Sequence, residues 1–145
     1  LRRISQKKDL YKINSCVDAY NLVVMKNRVS IGAFDYNKFN FPTIMRFPKK
    51  GEEIFLLGDK EPTKFKANEL AYFDQLGGYN IDFNYRDAQR TAVTENTKDI
   101  LLNIDGIYDI TREKVEKSML ESIDIILKYC GGKVEYSGIV SATQK

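Results

Sequence analysis

The first regular pattern of apolar and polar positions runs from Ser15 to Arg28. Val17, Tyr20, Val24 and Arg28 recur there at helical spacing, with Cys16, Ala19 and Val23 beside them. The spacing predicts an amphipathic helix that Ser15 or Asn14 can cap. The polar stretch before it, Leu1 to Leu10, reads as the tail of an earlier helix. From Ile31 to Phe83 the period shortens to β-like runs broken by turn residues. Thr43–Phe47 and Glu53–Leu57 flank Pro48-Lys49-Lys50-Gly51-Glu52 and predict one hairpin, while Glu69–Phe73 and Tyr79–Phe83 around Gly77-Gly78 predict a second, stronger one. Asp99–Asp105 is apolar on both faces over its middle, which suits a buried strand with neighbours on both sides. A helix follows from about Arg112 to Cys130, with Val115, Met119, Ile123, Ile126, Leu127 and Cys130 as its apolar stripe, Thr111 at its start and Gly131-Gly132 at its end. A last strand is expected from Lys133 to Val140. Two main helices among mostly antiparallel strands define an α+β fold.

Composition narrows the class. A chain of 145 residues with 43% hydrophobic and 30% charged residues is globular and long enough for one domain. Phe34, Phe47 and Phe73 are expected in its core. No apolar run approaches the ~20 residues that span a bilayer, and the start lacks the apolar stretch of a signal peptide, so the expected setting is cytoplasmic with no membrane partner. Cys16 and Cys130 are far apart in sequence, each in an apolar stretch, and both read as small buried hydrophobes.

With no histidine in the chain, the usual general base, the usual metal ligand and any Ser-His or Cys-His nucleophile pair are removed. Neither a metal nor a cofactor is expected, and chemistry must run on carboxylates, Lys, Tyr, Thr or the groups of a bound substrate. Net charge is only +3, but Arg2, Arg3, Lys7, Lys8, Lys12, Lys26 and Arg28 crowd the first part of the chain against Asp9 and Asp18. Such an end attracts phosphate backbones, or is simply a solvated face.

Three groups of polar residues stand out. Asp18 and Asn21 lie three apart on the first helix, so they either line a pocket or hold neighbouring loops by hydrogen bonds. Gly32 permits close backbone approach, and Asp35 can accept from backbone N–H groups. The run from Arg86 to Thr97 is the densest. It contains Arg86, Asp87, Arg90, Thr91 and Thr94, and either clamps a carboxylate or phosphate through its arginines or is a surface loop tied by its own ion pairs. Gly77-Gly78 and Gly131-Gly132 do not form a phosphate-binding loop.

Val17-Asp18-Ala19-Tyr20-Asn21-Leu22-Val23 followed by Ile31-Gly32-Ala33-Phe34-Asp35 resembles the B-three/B-four domain. That domain is the editing module of the phenylalanyl-tRNA synthetase beta chain and also occurs as freestanding proteins. The resemblance runs from about Leu1 to Gly132 and takes in Glu52, Asn103 after Leu101-Leu102, and Cys130-Gly131-Gly132. It implies a β-rich α+β unit whose N-terminal part precedes Leu1, so that these residues are the C-terminal portion of one domain, unstable in isolation. In synthetase members a histidine precedes Ala-Phe-Asp and a glutamate follows Leu-Leu in a pocket that hydrolyses mischarged tyrosine. Gly32 and Asn103 stand at those positions here, and Asn103 cannot act as a base. Arg86-Asp87, Thr91, Val93-Thr94 and Thr97 resemble the freestanding members instead. The resemblance therefore implies binding of tRNA or aminoacyl-tRNA, with hydrolysis in trans as the candidate reaction and no tyrosine-specific editing. The site it implies gathers Asp18, Asn21, Gly32, Asp35, Arg86, Asp87, Arg90, Thr91, Thr94 and Asn103 around one pocket. The rival reading is a module for a small amino-acid-like ligand, or a structural domain without catalysis.

Overall fold

The structure, a computed structural model, describes residues 15–83 and 86–141. The expected tail of an earlier helix and the candidate cap Asn14 lie outside the described residues. The chain divides into two compact units, one made of its residues up to Ile31 and from Ile104 onward, the other of Gly32–Asn103.

The first unit is a helix pair. Helix α1 (Ser15–Asn27) buries Cys16, Val17, Ala19, Tyr20, Val23 and Asn27, close to the predicted faces. It ends on Arg28, which takes the left-handed φ of 53° and donates its N–H to the Val24 carbonyl at 2.9 Å. Helix α2 (Arg112–Cys130) begins at Thr111, whose hydroxyl accepts from the Lys114 N–H, and ends at Gly131. Its buried positions, however, are Ser118 and Ser122, both at 0% exposure, while Leu127 and Cys130 of the predicted apolar stripe are exposed. Small hydroxyl residues let the two helix backbones approach closely, and the half-buried Val115, Met119, Ile123 and Ile126 flank that line. The Ser118 hydroxyl donates to the Lys114 carbonyl at 2.7 Å and accepts from Asn27 Nδ2 at 3.1 Å. The strand expected over residues 133–140 does not form. Strand hydrogen bonds come from a partner strand, and these residues pair with none among those described; they are irregular and mostly exposed.

The second unit is built on a four-stranded sheet. Its strands are β2 (Ile44–Arg46), β5 (Ala71–Asp74), β6 (Gly77–Ile81) and β7 (Arg86–Asp87), in the spatial order β2-β5-β6-β7. All neighbours are antiparallel. A separate pair joins β3 (Glu53–Ile54) to β4 (Thr63–Lys64). Strands β1 (Ser30–Asp35) and β8 (Ile100–Asp105) form a third, two-stranded sheet, and along these two strands the chain passes from one unit to the other.

The hairpin predicted around Pro48–Glu52 is therefore replaced: β2 pairs with β5 and β3 with β4. The Arg46 guanidinium grips the Glu52 carboxylate through two bonds of 2.8 and 2.7 Å, closing the turn while the two strands join different sheets. The second predicted hairpin forms as β5 and β6, with Phe73 opposite Gly78 and Asp74 opposite Gly77. Its turn falls on Gln75 and Leu76, because the Asp74 carboxylate accepts from the Leu76 and Gly77 N–H groups at 2.9 and 3.2 Å. Gly78 belongs to the strand, where the Phe65 ring fills the place a Cβ would take. The strand expected to be buried between neighbours, β8, has β1 as its partner and is half-buried along most of its length. Phe34, Ile54, Leu56, Tyr79, Ile81 and Ala88 form the core of this unit, with Phe39, Phe65, Tyr72 and Leu101 packed against it. Phe73 is also buried, but Phe47 is 59% exposed, because β2 is an edge strand with little above it.

Candidate ligand site

The strongest link between the predicted site residues in the second unit is made by Asp35. It ends β1 and caps a 3-10 turn at Tyr36–Lys38, accepting from the Asn37 N–H at 3.1 Å. Its other carboxylate oxygen accepts from the Thr97 hydroxyl at 2.8 Å. Thr97 in turn accepts from the Thr94 N–H at 2.9 Å, and Thr94 Oγ1 accepts from the Asn96 N–H at 3.3 Å. The end of β1 and the end of the polar run are thus tied to one another. Gly32, three residues upstream, is half-buried, and a Cβ there would come within 3.1 Å of the Phe34 ring, so the glycine fits the close seat of that ring.

The Arg86–Thr97 run is only partly a loop. Arg86-Asp87 is the edge strand β7, Ala88 bridges to Leu56, Gln89–Thr91 is a 3-10 turn, and Ala92 bridges to Phe34. Both arginines find carboxylates outside the run. Arg86 meets Glu69 at 3.2 Å. Arg90 holds Asp74 through two bonds of 2.6 and 3.0 Å and also donates to the Gly77 carbonyl at 3.0 Å. Burial alone would push the Asp74 carboxyl upward, but the Arg90 bonds and the N–H groups of Asn40 and Leu76 outweigh it and hold it below the usual range. Thr91 is fully buried, its hydroxyl on the Ala88 carbonyl at 3.3 Å. Asp87 accepts from Asn80 Nδ2 at 2.7 Å. Arg90 and Thr91 therefore brace the frame, while Thr94 is exposed and Asn103 half-buried.

A shallow cavity of about 240 Å³ opens beside β7, lined by Leu56, Leu57, Asp59, Thr63, Arg86 and Asp87. Asp59 comes from the polar turn before β4 and Thr63 opens that strand, and nothing in their local sequence marks them. Glu69 and Asp74 also escape the sequence reading, although an acid at a strand end before a turn, as at Asp74, is the pattern of a side chain that closes the turn itself. Asp18 and Asn21, one helical turn apart and both half-buried, lie on α1 in the other unit. Among the described residues no group of histidine, cysteine, aspartate and glutamate could hold a metal ion, and no helix is long and apolar enough to cross a membrane.

Two helices with antiparallel sheets define an α+β domain, in which Asp35 joins a strand end to a polar loop. Residues 1–131 match the B3/4 domain model, and the chain belongs to that family. It is 28% identical over 146 residues to the phenylalanine–tRNA ligase beta subunit of Aquifex aeolicus, an alignment covering 85% of this chain and 19% of that protein. With the corresponding subunit of Haemophilus influenzae the identity is 27% over 144 residues, covering 83% and 18%. The chain thus spans about a fifth of the length of these relatives. An N-terminal fragment of the phenylalanyl-tRNA synthetase beta subunit from Pyrococcus horikoshii has the same fold, with a TM-score of 0.65 at 18% identity, over 79% of this chain and 40% of that one.

Proposed function

We propose that this protein binds tRNA or aminoacyl-tRNA and hydrolyses the aminoacyl ester in trans. The observation that carries the reading is the B3/4 match over residues 1–131, together with relatives that are ligase subunits charging a tRNA. In the second unit, Asp35, Thr94 and Thr97 form the polar seam that would meet the ligand, with Gly32 and Asn103 on the strands beside them. Arg86 and Arg90 are committed to Glu69 and Asp74, so their part in the reading is to hold the seam in place. Without a histidine, the attacking water is positioned by Thr hydroxyls and backbone groups, with the terminal ribose hydroxyl of the substrate assisting. The test is a deacylation screen of the protein against differently charged tRNAs. Ester release above the spontaneous rate from at least one of them is expected, and release from none would reduce the reading to binding.

The cavity beside β7 supports a second reading, an amino-acid-like ligand held without tRNA. Its wall carries both Arg86 and Asp87, and charges of both signs suit a zwitterion. A free amino acid that raises the melting temperature while uncharged tRNA does not would favour this alternative.

A further inference from the structure

We propose that Cys16 and Cys130 are a latent disulfide pair, a thiol-oxidation site that cross-links the first turn of α1 to the end of α2. The helix pair runs antiparallel: the end of α1 meets the middle of α2, with Asn27 on Ser118 at 3.1 Å and Lys26 on Glu121 at 2.9 Å. Further back along α1, Leu22 and Val23 share a groove with Ile125 and Tyr129. Cys16 lies eleven residues before Asn27, and Cys130 twelve residues after Ser118. At about 1.5 Å per residue the two cysteines are carried almost the same distance along the pair, so they arrive at one level. Cys16, Tyr20, Val23 and Asn27 also share one stripe of α1, all buried.

The two thiols differ in exposure as an oxidation pair requires. Cys130 is exposed and Cys16 buried, and both are free. Burial, with Cys130 nearby adding to it, pushes the Cys16 thiol up to about 11, which keeps it protonated and leaves Cys130 as the group an oxidant meets first. Cys130 is the last residue of α2, followed by Gly131 and Gly132 with positive φ of 73° and 95°. A terminal turn that frays can swing its sulfur towards α1.

With hydrogen peroxide as oxidant, the Cys130 sulfur attacks one peroxide oxygen and the O–O bond breaks, giving a sulfenic acid, while the departing hydroxide takes up the thiol proton and leaves as water. The Cys16 sulfur then attacks the sulfenic sulfur, forming the S–S bond, and the hydroxyl leaves as a second water with the Cys16 proton. Two electrons pass from the two thiols to one peroxide.

The experiment treats the whole chain with hydrogen peroxide at micromolar protein and reads intact mass, alkylatable thiols and melting temperature. Expected are a monomer lighter by about two hydrogens, a disulfide-linked peptide pair joining Cys16 to Cys130 that alkylates only after reduction, and a melting temperature higher by roughly 5–15 °C that a dithiol reverses. Cys16→Ser and Cys130→Ser should each remove all three signs while retaining the reduced protein's melting temperature to within about 3 °C. Oxidation of Cys130 to sulfinic acid without a link to Cys16 would overturn the proposal. So would a bridge that forms only between two molecules.

Discussion

At the residue scale, the carboxylates that grip arginines are the sites where one atom decides most. Asp74 has a side chain at 0% exposure, bonded twice to Arg90 and to the N–H groups of its own turn. Asp74→Asn would keep the shape but leave the Arg90 charge unpaired, and should destabilise the protein by about 3 kcal/mol, measured by urea unfolding. Arg28 holds a left-handed φ that costs a side chain energy, so Arg28→Gly should stabilise by about 0.5–1 kcal/mol in the same assay. For specificity, the family resemblance puts Asn103 where synthetase members carry a glutamate, and under the proposed function no charged partner would meet a tyrosine hydroxyl there. Release from tyrosine- and phenylalanine-charged tRNA should therefore be nearly equal, without the ~10⁴-fold discrimination that an intact polar site provides. Strong, selective tyrosine release would sink that expectation.

At the element scale, the fully buried line of α2 runs along Ser118 and Ser122, and Ser118 on it bonds Asn27 of α1. Ser118→Leu would force the helices apart and remove the Asn27 partner, at a cost of about 1–3 kcal/mol visible as a lowered melting temperature. The predicted apolar stripe failed because periodicity locates a face but not which line of that face lies nearest the partner. Ser118 occupies that line with its hydroxyl satisfied by the Lys114 carbonyl, whereas the Ser122 hydroxyl is buried there without a hydrogen-bond partner among the described residues. The false hairpin around Pro48–Glu52 has a similar origin: the turn was legible, but the choice of partner strand depends on which sheet each flank joins. The true hairpin was legible because β5 and β6 pair across a short turn, although Asp74 rather than Gly77-Gly78 shapes it.

At the scale of the whole molecule, acid and salt are the informative variables. The Arg46 hydrogen bonds hold the Glu52 carboxyl down to about 2 against burial, with the Lys49 N–H helping, and Asp74 is also held low. Both pKa values are depressed on folding, so their stabilisation is present above the unfolded values and fades as the pH falls through the folded ones. Stability should drop from about pH 4.5 towards pH 2. The gap between the protein and Glu52→Gln in urea midpoint should narrow over that range; a gap independent of pH would refute the assignment. For tRNA, the proposed interface predicts affinity that falls steeply and linearly in log–log terms with salt, measured by titration at several ionic strengths, whereas a small-ligand site would barely respond.

The sequence by itself determined both helices, the antiparallel α+β class, the β5–β6 hairpin and the family, because periodicity, caps and the Val-Asp-x-x-Asn and Gly-Ala-Phe-Asp motifs are local signals. It also singled out Asp35, Arg86, Arg90 and Thr94 as candidate site residues. Only the tertiary structure decided their roles. Arg90 is drawn to Asp74 and Arg86 to Glu69, while Asp35 reaches Thr97. Each of these pairings joins residues far apart in the chain, and a charged side chain's partner is fixed by which strands and turns the fold brings within hydrogen-bonding distance.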